Sequence, residues 1–290
     1  MSRNLFFSFR SITQVIALVG LSIAFGCITV RSQPAEKARP LLEFEGNKVF
    51  SKEELFDSAN KCIDQWTKYG PEQLDYCLHK VTQLMRSRGY LQAKLTTARV
   101  DELEDRERIV STVKEGPVYR LGEMKIEGSR VFSIEQVRNT IGVKTGEVAN
   151  GQAISEGLFE RMKSAYGKFG YIQYTADIQP TFHVNEDASE GVVDFDITID
   201  EGAQFKVRSI KFAGGDAQSR QYLTQQVLLL REGDVFADDL LRESVKRIND
   251  THSYDPIDAD KDVYYRTDQK APVLDLTIRL KKAVASLTNP

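Results

Sequence analysis

The residues able to do covalent or metal chemistry are few and scattered. His79, His183 and His252 stand in different regions without a second ligand at metal spacing, and read as surface or hydrogen-bonded side chains. Ser58-Ala59-Asn60-Lys61 has the form of a serine nucleophile with a lysine base, and Lys144-Thr145-Gly146 that of the loop accompanying such a pair. The chemistry needs one fold to bring both together. Here Ser58 falls in an amphipathic helical pattern and Lys144 in a loop of the next small unit, so the match is read as chance. The run Asp255-Pro256-Ile257-Asp258-Ala259-Asp260-Lys261-Asp262 spaces carboxylates like a calcium loop but lacks the central glycine and closing glutamate, so a solvated turn is expected. With no phosphate-binding glycine loop and no nucleophile elbow, the chain is expected to be non-enzymatic, with no catalytic, cofactor or metal site and no small-molecule substrate.

The cysteines speak to compartment. Arg3 and Arg10 precede an apolar stretch from Ile12 to Val30 that carries no charge and ends at Arg31, the pattern of an export signal. Ala24-Phe25-Gly26 is a small-x-small cleavage pattern, and Cys27 follows it where a lipidated residue would stand. The apolar run continues through Ile28, Thr29 and Val30, however, and a span of about 20 residues can cross a bilayer uncleaved. Cleavage at Cys27 and an uncleaved anchor are both open readings, and either exports the rest of the chain. Cys62 and Cys77 lie at equal distances from the turn signal Tyr69-Gly70-Pro71, so on an antiparallel helix hairpin they would face each other. A disulfide suits an oxidising compartment, and two buried thiols are the alternative.

At 290 residues, 41% hydrophobic and 28% charged, the chain can bury real cores, in two or three compact units rather than one. The formal net charge of -3, with Lys and Arg spread along the sequence, leaves no basic stripe for counterion release, so nucleic acid is not an expected partner.

The elements that would position any site repeat along the chain. Leu42 to Ser51 aligns without a gap to Met124 to Ser133, the glycines Gly46 and Gly128 lying 82 residues apart, and Ile210-Lys211-Phe212-Ala213-Gly214 is a weaker third copy. Glu115-Gly116-Pro117-Val118-Tyr119 corresponds to Glu201-Gly202-Ala203-Gln204-Phe205, and Gly89-Tyr90 to Gly170-Tyr171. In each copy a short strand ends at a glycine turn. Ser51 and Ser133 then sit as N-caps, with Glu54 and Gln136 three residues on, and Ser219 is the equivalent in the third copy. Apolar faces at helical spacing follow: Leu74, Leu78, Val81 and Met85; Ile154, Leu158, Met162 and Phe169; Leu241, Val245 and Ile248. A strand pair closes each copy. Val193, Phe195, Ile197 and Ile199 alternate with Asp194, Asp196, Thr198 and Asp200, and Leu274, Leu276, Ile278 and Leu280 do likewise, so each sheet is covered on one side only.

These residues resemble the polypeptide-transport-associated (POTRA) repeat of the outer-membrane assembly and translocation family. The likeness rests on the hydrophobic-x-hydrophobic-x-Gly turn with Val-Phe-Ser after it, the Gly-Tyr read as opening the second strand, and the Glu-Gly pair between repeats, over roughly residues 40 to 283. The expected fold is α+β: three tandem βααββ POTRA-like repeats, each a small mixed sheet with two helices on one face. Residues 1–31 would be the signal or anchor, 32–39 a linker, 40–117, 118–203 and 204–283 the repeats, and 284–290 a C-terminal tail. The resemblance implies a periplasmic, membrane-tethered chaperone-like scaffold, more at the outer membrane than the inner. Its implied partners are unfolded outer-membrane proteins or a barrel and lipoprotein assembly complex, with the membrane reached through the N-terminus. Family members usually continue into a C-terminal barrel, whereas this sequence stops after the third repeat, so only the holding or scaffolding role is expected to carry over. A cell-division family with one such repeat behind an anchor suggests the alternative, a structural adaptor in an inner-membrane-anchored envelope or division complex; three copies favour the assembly side.

A three-stranded sheet has two edges, and an edge offers unpaired N–H and C=O groups to any extended chain. The second strands, Tyr171 to Ile178 and Val263 to Arg266, are expected to be the docking edges, through Tyr171, Ile172, Gln173, Tyr174, Thr175, Val263, Tyr264 and Tyr265. The alternative is that Tyr171, Tyr174 and Tyr264 pack against neighbouring repeats.

Overall fold

Three sheets of identical connectivity succeed one another along the chain. The computed structural model describes residues 38–63, 72–104, 106–184 and 188–281. The N-terminal segment with Cys27, most of the linker and the C-terminal tail lie outside the described residues. The first unit contains β1 (Leu41–Glu45), α1 (Lys52–Ile63), α2 (Glu72–Ser87), β2 (Lys94–Glu102) and β3 (Glu107–Lys114). In the second, β4 (Val118–Glu127) and α3 (Ile134–Ile141) lead into a helical run of α4 (Gly151–Glu156), a π-helical turn Gly157–Met162 and α5 (Lys163–Gly167), followed by β5 (Thr175–His183) and β6 (Glu190–Asp200). The third comprises β7 (Lys206–Ala213), α6 (Ala217–Tyr222) running into a π-helical turn Leu223–Val227, α7 (Asp238–Asp250), β8 (Val263–Thr267) and β9 (Val273–Arg279).

The sheet orders are β1-β3-β2, β4-β6-β5 and β7-β9-β8. In each, the last strand is central, parallel to the first and antiparallel to the second. In the second and third units the central strand is a cleanly alternating segment with one buried face. Val193, Phe195, Ile197 and Ile199 are buried, as are Leu274, Leu276, Ile278 and Leu280. At about 2 kcal/mol for each large apolar side chain withdrawn from water, such a row fixes the register, since a one-residue slip would turn all four outward. The described residues contain three separate cores, one per sheet.

The helices follow their caps. The Ser133 hydroxyl accepts the Gln136 N–H while the Gln136 side chain accepts the Ser133 N–H, a complete capping box. Ser51 accepts the Glu54 N–H in the first unit. In the third, the cap is Asp216, not Ser219: its carboxylate accepts the Ser219 N–H at 2.8 Å and the Ser219 hydroxyl at 2.7 Å, placing Ser219 inside the first turn. A second departure concerns the apolar face of the second unit. Ile154, Leu158 and Met162 are buried, but Phe169 is half exposed and Tyr166 takes the buried place. The π-helical turn accounts for this, because its extra residue per turn carries the buried row on in steps of four and leaves Phe169 off the face.

The units join through the repeated landmarks. The Gly89 carbonyl accepts the Tyr119 N–H at 2.9 Å, and the Gly170 carbonyl accepts the Phe205 N–H at 2.9 Å. Both glycines have positive φ, +87° and +82°. A Cβ on Gly170 would stand 2.9 Å from the Phe205 oxygen and 3.1 Å from the Phe236 oxygen, so glycine is required by the backbone angle and by the approach of the next unit. Two residues on, Leu91 packs against the second unit's core and Ile172 against the third's. The Gly-Tyr motif therefore ends the second helix and docks the next unit; it does not open a strand.

Candidate functional site

The two cysteines of the folded region meet. Cys62 and Cys77 form a disulfide with Cα atoms 5.5 Å apart, both buried in the first core, tying α1 to α2.

The eight residues expected on docking edges divide. Tyr171 to Tyr174 lie in the turn before β5, and Thr175 is the first residue of that strand. Tyr174 is 4% exposed, stacks on Tyr166 with ring centroids 4.5 Å apart, and donates its hydroxyl to the Leu158 carbonyl. Burial pushes its hydroxyl up to about 12. Tyr171 packs edge-on against Tyr166, in its own unit's core. These side chains are structural, and Ile172 serves the joint, so this part of the expected edge is corrected: a two-residue turn after a positive-φ glycine stands where a strand is expected. Val263, Tyr264 and Tyr265 do lie on a second strand, β8, and Tyr264 and Tyr265 are 47% and 52% exposed.

Which edges are open follows from the backbone hydrogen bonds. In the second and third units the loop before the long helix covers part of the first strand. Leu121 N–H donates to Glu147 and Ala149 N–H to Tyr119; Val207 N–H donates to Asp234 and Phe236 N–H to Phe205. Isolated bridges join Arg120 to Val148 and Lys206 to Val235. Among the described residues the second strands pair only inward, with β3, β6 and β9. On β8 the Arg279 N–H donates to Asp262 and the Asp268 N–H to Val273, which sets the alternation of the ladder between them. Tyr264 and Arg266 turn their backbone groups to β9, while Val263, Tyr265 and Thr267 present theirs outward.

In the first two units a glutamate at the end of the repeat latches the turn after its first strand. Glu115 accepts the N–H groups of Lys48, Val49 and Phe50 at 2.9 to 3.1 Å. Glu201 accepts those of Arg130 and Val131 and the Tyr166 hydroxyl, at 2.7, 2.8 and 2.9 Å. Burial pushes the Glu201 carboxyl up, but the N–H groups of Val131 and Arg130 and the Tyr166 hydroxyl outweigh it, so the group is held below the usual glutamate range. These two latches and the Leu91 and Ile172 plugs escape a reading of the sequence, although the Glu-Gly repeat marks the first pair.

Ser58, His183 and aspartates of the 255–262 turn have partners within the chain. The Ser58 hydroxyl donates to the Lys80 carbonyl, His183 pairs with Asp194 at 2.8 Å, and three of the four aspartates of the 255–262 turn bind cations of the chain: Asp258 with Lys261, Asp260 with Arg242, Asp262 with Lys281. Among the described residues no group of three His, Cys, Asp or Glu side chains is placed to hold a metal, and no helix is long and apolar enough to cross a membrane.

Comparison with known proteins agrees with this geometry. Residues 119–202 match the POTRA family, described as a surface antigen variable number repeat. An outer membrane protein assembly factor of Treponema pallidum is 26% identical over 216 residues, 71% of this chain and 25% of that protein. Outer membrane protein assembly factor BamA of Neisseria meningitidis is 24% identical over 229 residues, 76% of this chain and 28% of that protein. The chain thus spans between a quarter and two fifths of the curated relatives it matches. Among solved structures, POTRA repeats 3 to 5 of Haemophilus influenzae BamA superpose with a TM-score of 0.62 at 16% identity, covering 85% of this chain and 96% of that one.

Proposed function

We propose, from the premise that these units are POTRA-like repeats homologous to those of outer-membrane assembly factors, that the chain is a non-enzymatic chaperone-like scaffold in outer-membrane protein assembly. Each unit is one βααββ copy, with borders at 40–117, 118–203 and 204–283. Its clients are extended polypeptides, unfolded outer-membrane proteins or members of an assembly complex, bound by strand addition. The observation that carries this reading is the set of second strands paired, among the described residues, on one side only, whose outward N–H and C=O groups suit an extended chain of any sequence. Cleavage of the N-terminal apolar segment and lipidation of Cys27 would tether the repeats in the periplasm at the outer membrane, whereas an uncleaved segment would anchor them at the inner membrane.

The experiment is holdase activity of the full chain embedded in lipid nanodiscs. A urea-unfolded outer-membrane barrel protein is diluted into buffer with loaded or empty nanodiscs, and light scattering is followed. Loaded discs should delay aggregation at near-equimolar ratio, and a photoreactive residue at position 265 should cross-link to the client. Equal scattering with no cross-link would overturn the proposal.

A further inference from the structure

The three second strands are not equivalent as edges. On β2 the pairing with β3 shifts register between Thr97 and Arg99, a bulge that interrupts the outward row, and Asp101 is held by Arg99 and Arg108. On β5 the pairing runs unbroken from Thr175 to His183, yet Pro180 sits within it, opposite Phe195. Proline in a continuous ladder turns its missing N–H outward, and Phe195 corresponds to Leu276 of the third unit, the partner of Tyr265. Pro180 therefore lacks a donor at the place where Tyr265 presents one. β8 has neither device: its five pairs with β9 follow without a shift.

Beside β8 lies a groove of about 500 Å³ between the second unit's helix and the third unit. Its apolar lining includes Phe159, Ile172, Phe236, Leu241, Val263 and Tyr265. At its rim Arg242 bonds Asp238 and Asp260, both at 2.7 Å, so this cluster carries one net negative charge and the rim offers no unpaired cation of its own there. Val263 and Tyr265 share the face of β8 that borders the groove, so a strand added to β8 would direct alternate side chains over it. The opposite face is basic near the edge. Arg266 and Arg279 are exposed and neither joins a salt bridge among the described residues; Arg279 lies over the Tyr264 ring at 5.2 Å, and Asp275 is already held by Arg208.

Resting on the strand-addition reading, we propose that β8 is the chain's docking edge among the second strands, and that the groove is its side-chain pocket. The occupant is an extended segment of a partner protein in which large apolar side chains, directed to the groove, alternate with carboxylates directed to Arg266 and Arg279. Charge selects this occupant over a second copy of the chain, because antiparallel pairing of two β8 strands would bring arginines together.

The test measures fluorescence anisotropy of a labelled, end-blocked ten-residue peptide alternating Phe with Asp, against the full chain in nanodiscs. Thr267→Pro, which removes an outward donor without touching the ladder, should weaken binding about tenfold. Phe159→Ala should erase the preference for the Phe peptide over its Ala counterpart. Arg266→Glu should reverse the preference for Asp over Lys at the alternating positions. Amide exchange in β9 reports that each variant is folded. Binding unaffected by all three variants but lost when β2 is altered would overturn the β8 assignment while leaving strand addition standing. No binding of either peptide by the wild-type chain would overturn both.

Discussion

The Phe205 N–H donates to the Gly170 carbonyl across the border between the second and third units, with a geometry that Tyr119 and Gly89 repeat one unit earlier. This hydrogen bond is made of backbone, so it depends on how closely the chains approach, and the Leu91 and Ile172 side chains pack beside it against the next core. Gly170→Ala should cost about 1 to 3 kcal/mol, combining positive φ with two carbonyl contacts inside the usual Cβ distance. Hydrogen exchange is the measurement. The Phe205 amide should lose protection while β9 amides keep theirs, and equal protection in both proteins would show that the joint tolerates a methyl group.

The Cys62–Cys77 disulfide closes a separation of 15 residues, for which the chain-entropy relation gives about 3 kcal/mol. Reduction, or Cys62→Ser with Cys77→Ser, should destabilise the first unit alone. Exchange mass spectrometry with and without reductant should find faster exchange in α1, α2 and β3, and no change in β6 or β9. A uniform response along the chain would contradict the separateness of the three cores.

Glu201 has a folded pKa below its unfolded value. Its latch therefore contributes stability that is fully present above the unfolded pKa and is lost as pH falls through the folded one. The wild-type protein should lose stability of the second unit across the acid range below the usual glutamate value, and Glu201→Gln should flatten that loss while lowering stability at neutral pH by about 1 to 3 kcal/mol. Tyr166→Phe removes the hydroxyl that reaches the same carboxylate. Denaturant melts of the two single variants and the double variant should be non-additive by at least about 0.5 kcal/mol. Simple addition would mean that the Tyr166 and Glu201 groups act independently.

Pro180→Thr should restore the outward donor on β5. Calorimetric titration with the alternating peptide should then find two sites per chain in place of one, and sedimentation should detect greater self-association, since a newly opened edge pairs with whatever strand it meets. A stoichiometry that stays at one would indicate that the proline is not what closes β5.

Much of this fold is legible in the sequence because its repeats are marked by residues with local duties. Ser133 and Gln136 cap a helix across three positions, and Val193 to Ile199 declare a half-covered central strand by alternation alone. What escapes is whatever depends on a partner far along the chain. Gly170 and Tyr171 look like a strand opening because the group that needs the glycine carbonyl, the Phe205 N–H, lies 35 residues later. Tyr174 looks like an edge aromatic because nothing nearby announces that Tyr166 will stack on it. The π-helical turn at Gly157–Met162 has no signature in a heptad count, and it exchanges Phe169 for Tyr166 in the core. At the docking edge, Tyr264 and Tyr265 are visible in the sequence, whereas the pocket beside them needs Phe159 from a different unit.

Ile172 is encoded in one repeat and packs, partly buried, against the core of the next. A fragment beginning at residue 204 would carry a hollow where that isoleucine belongs, and a fragment ending at residue 203 would leave it facing water. Ownership of the hydrophobic interior is thus offset from the borders of the duplicated segment. Copying or exchanging one repeat is viable only if the residue donated forward still matches the cavity that receives it.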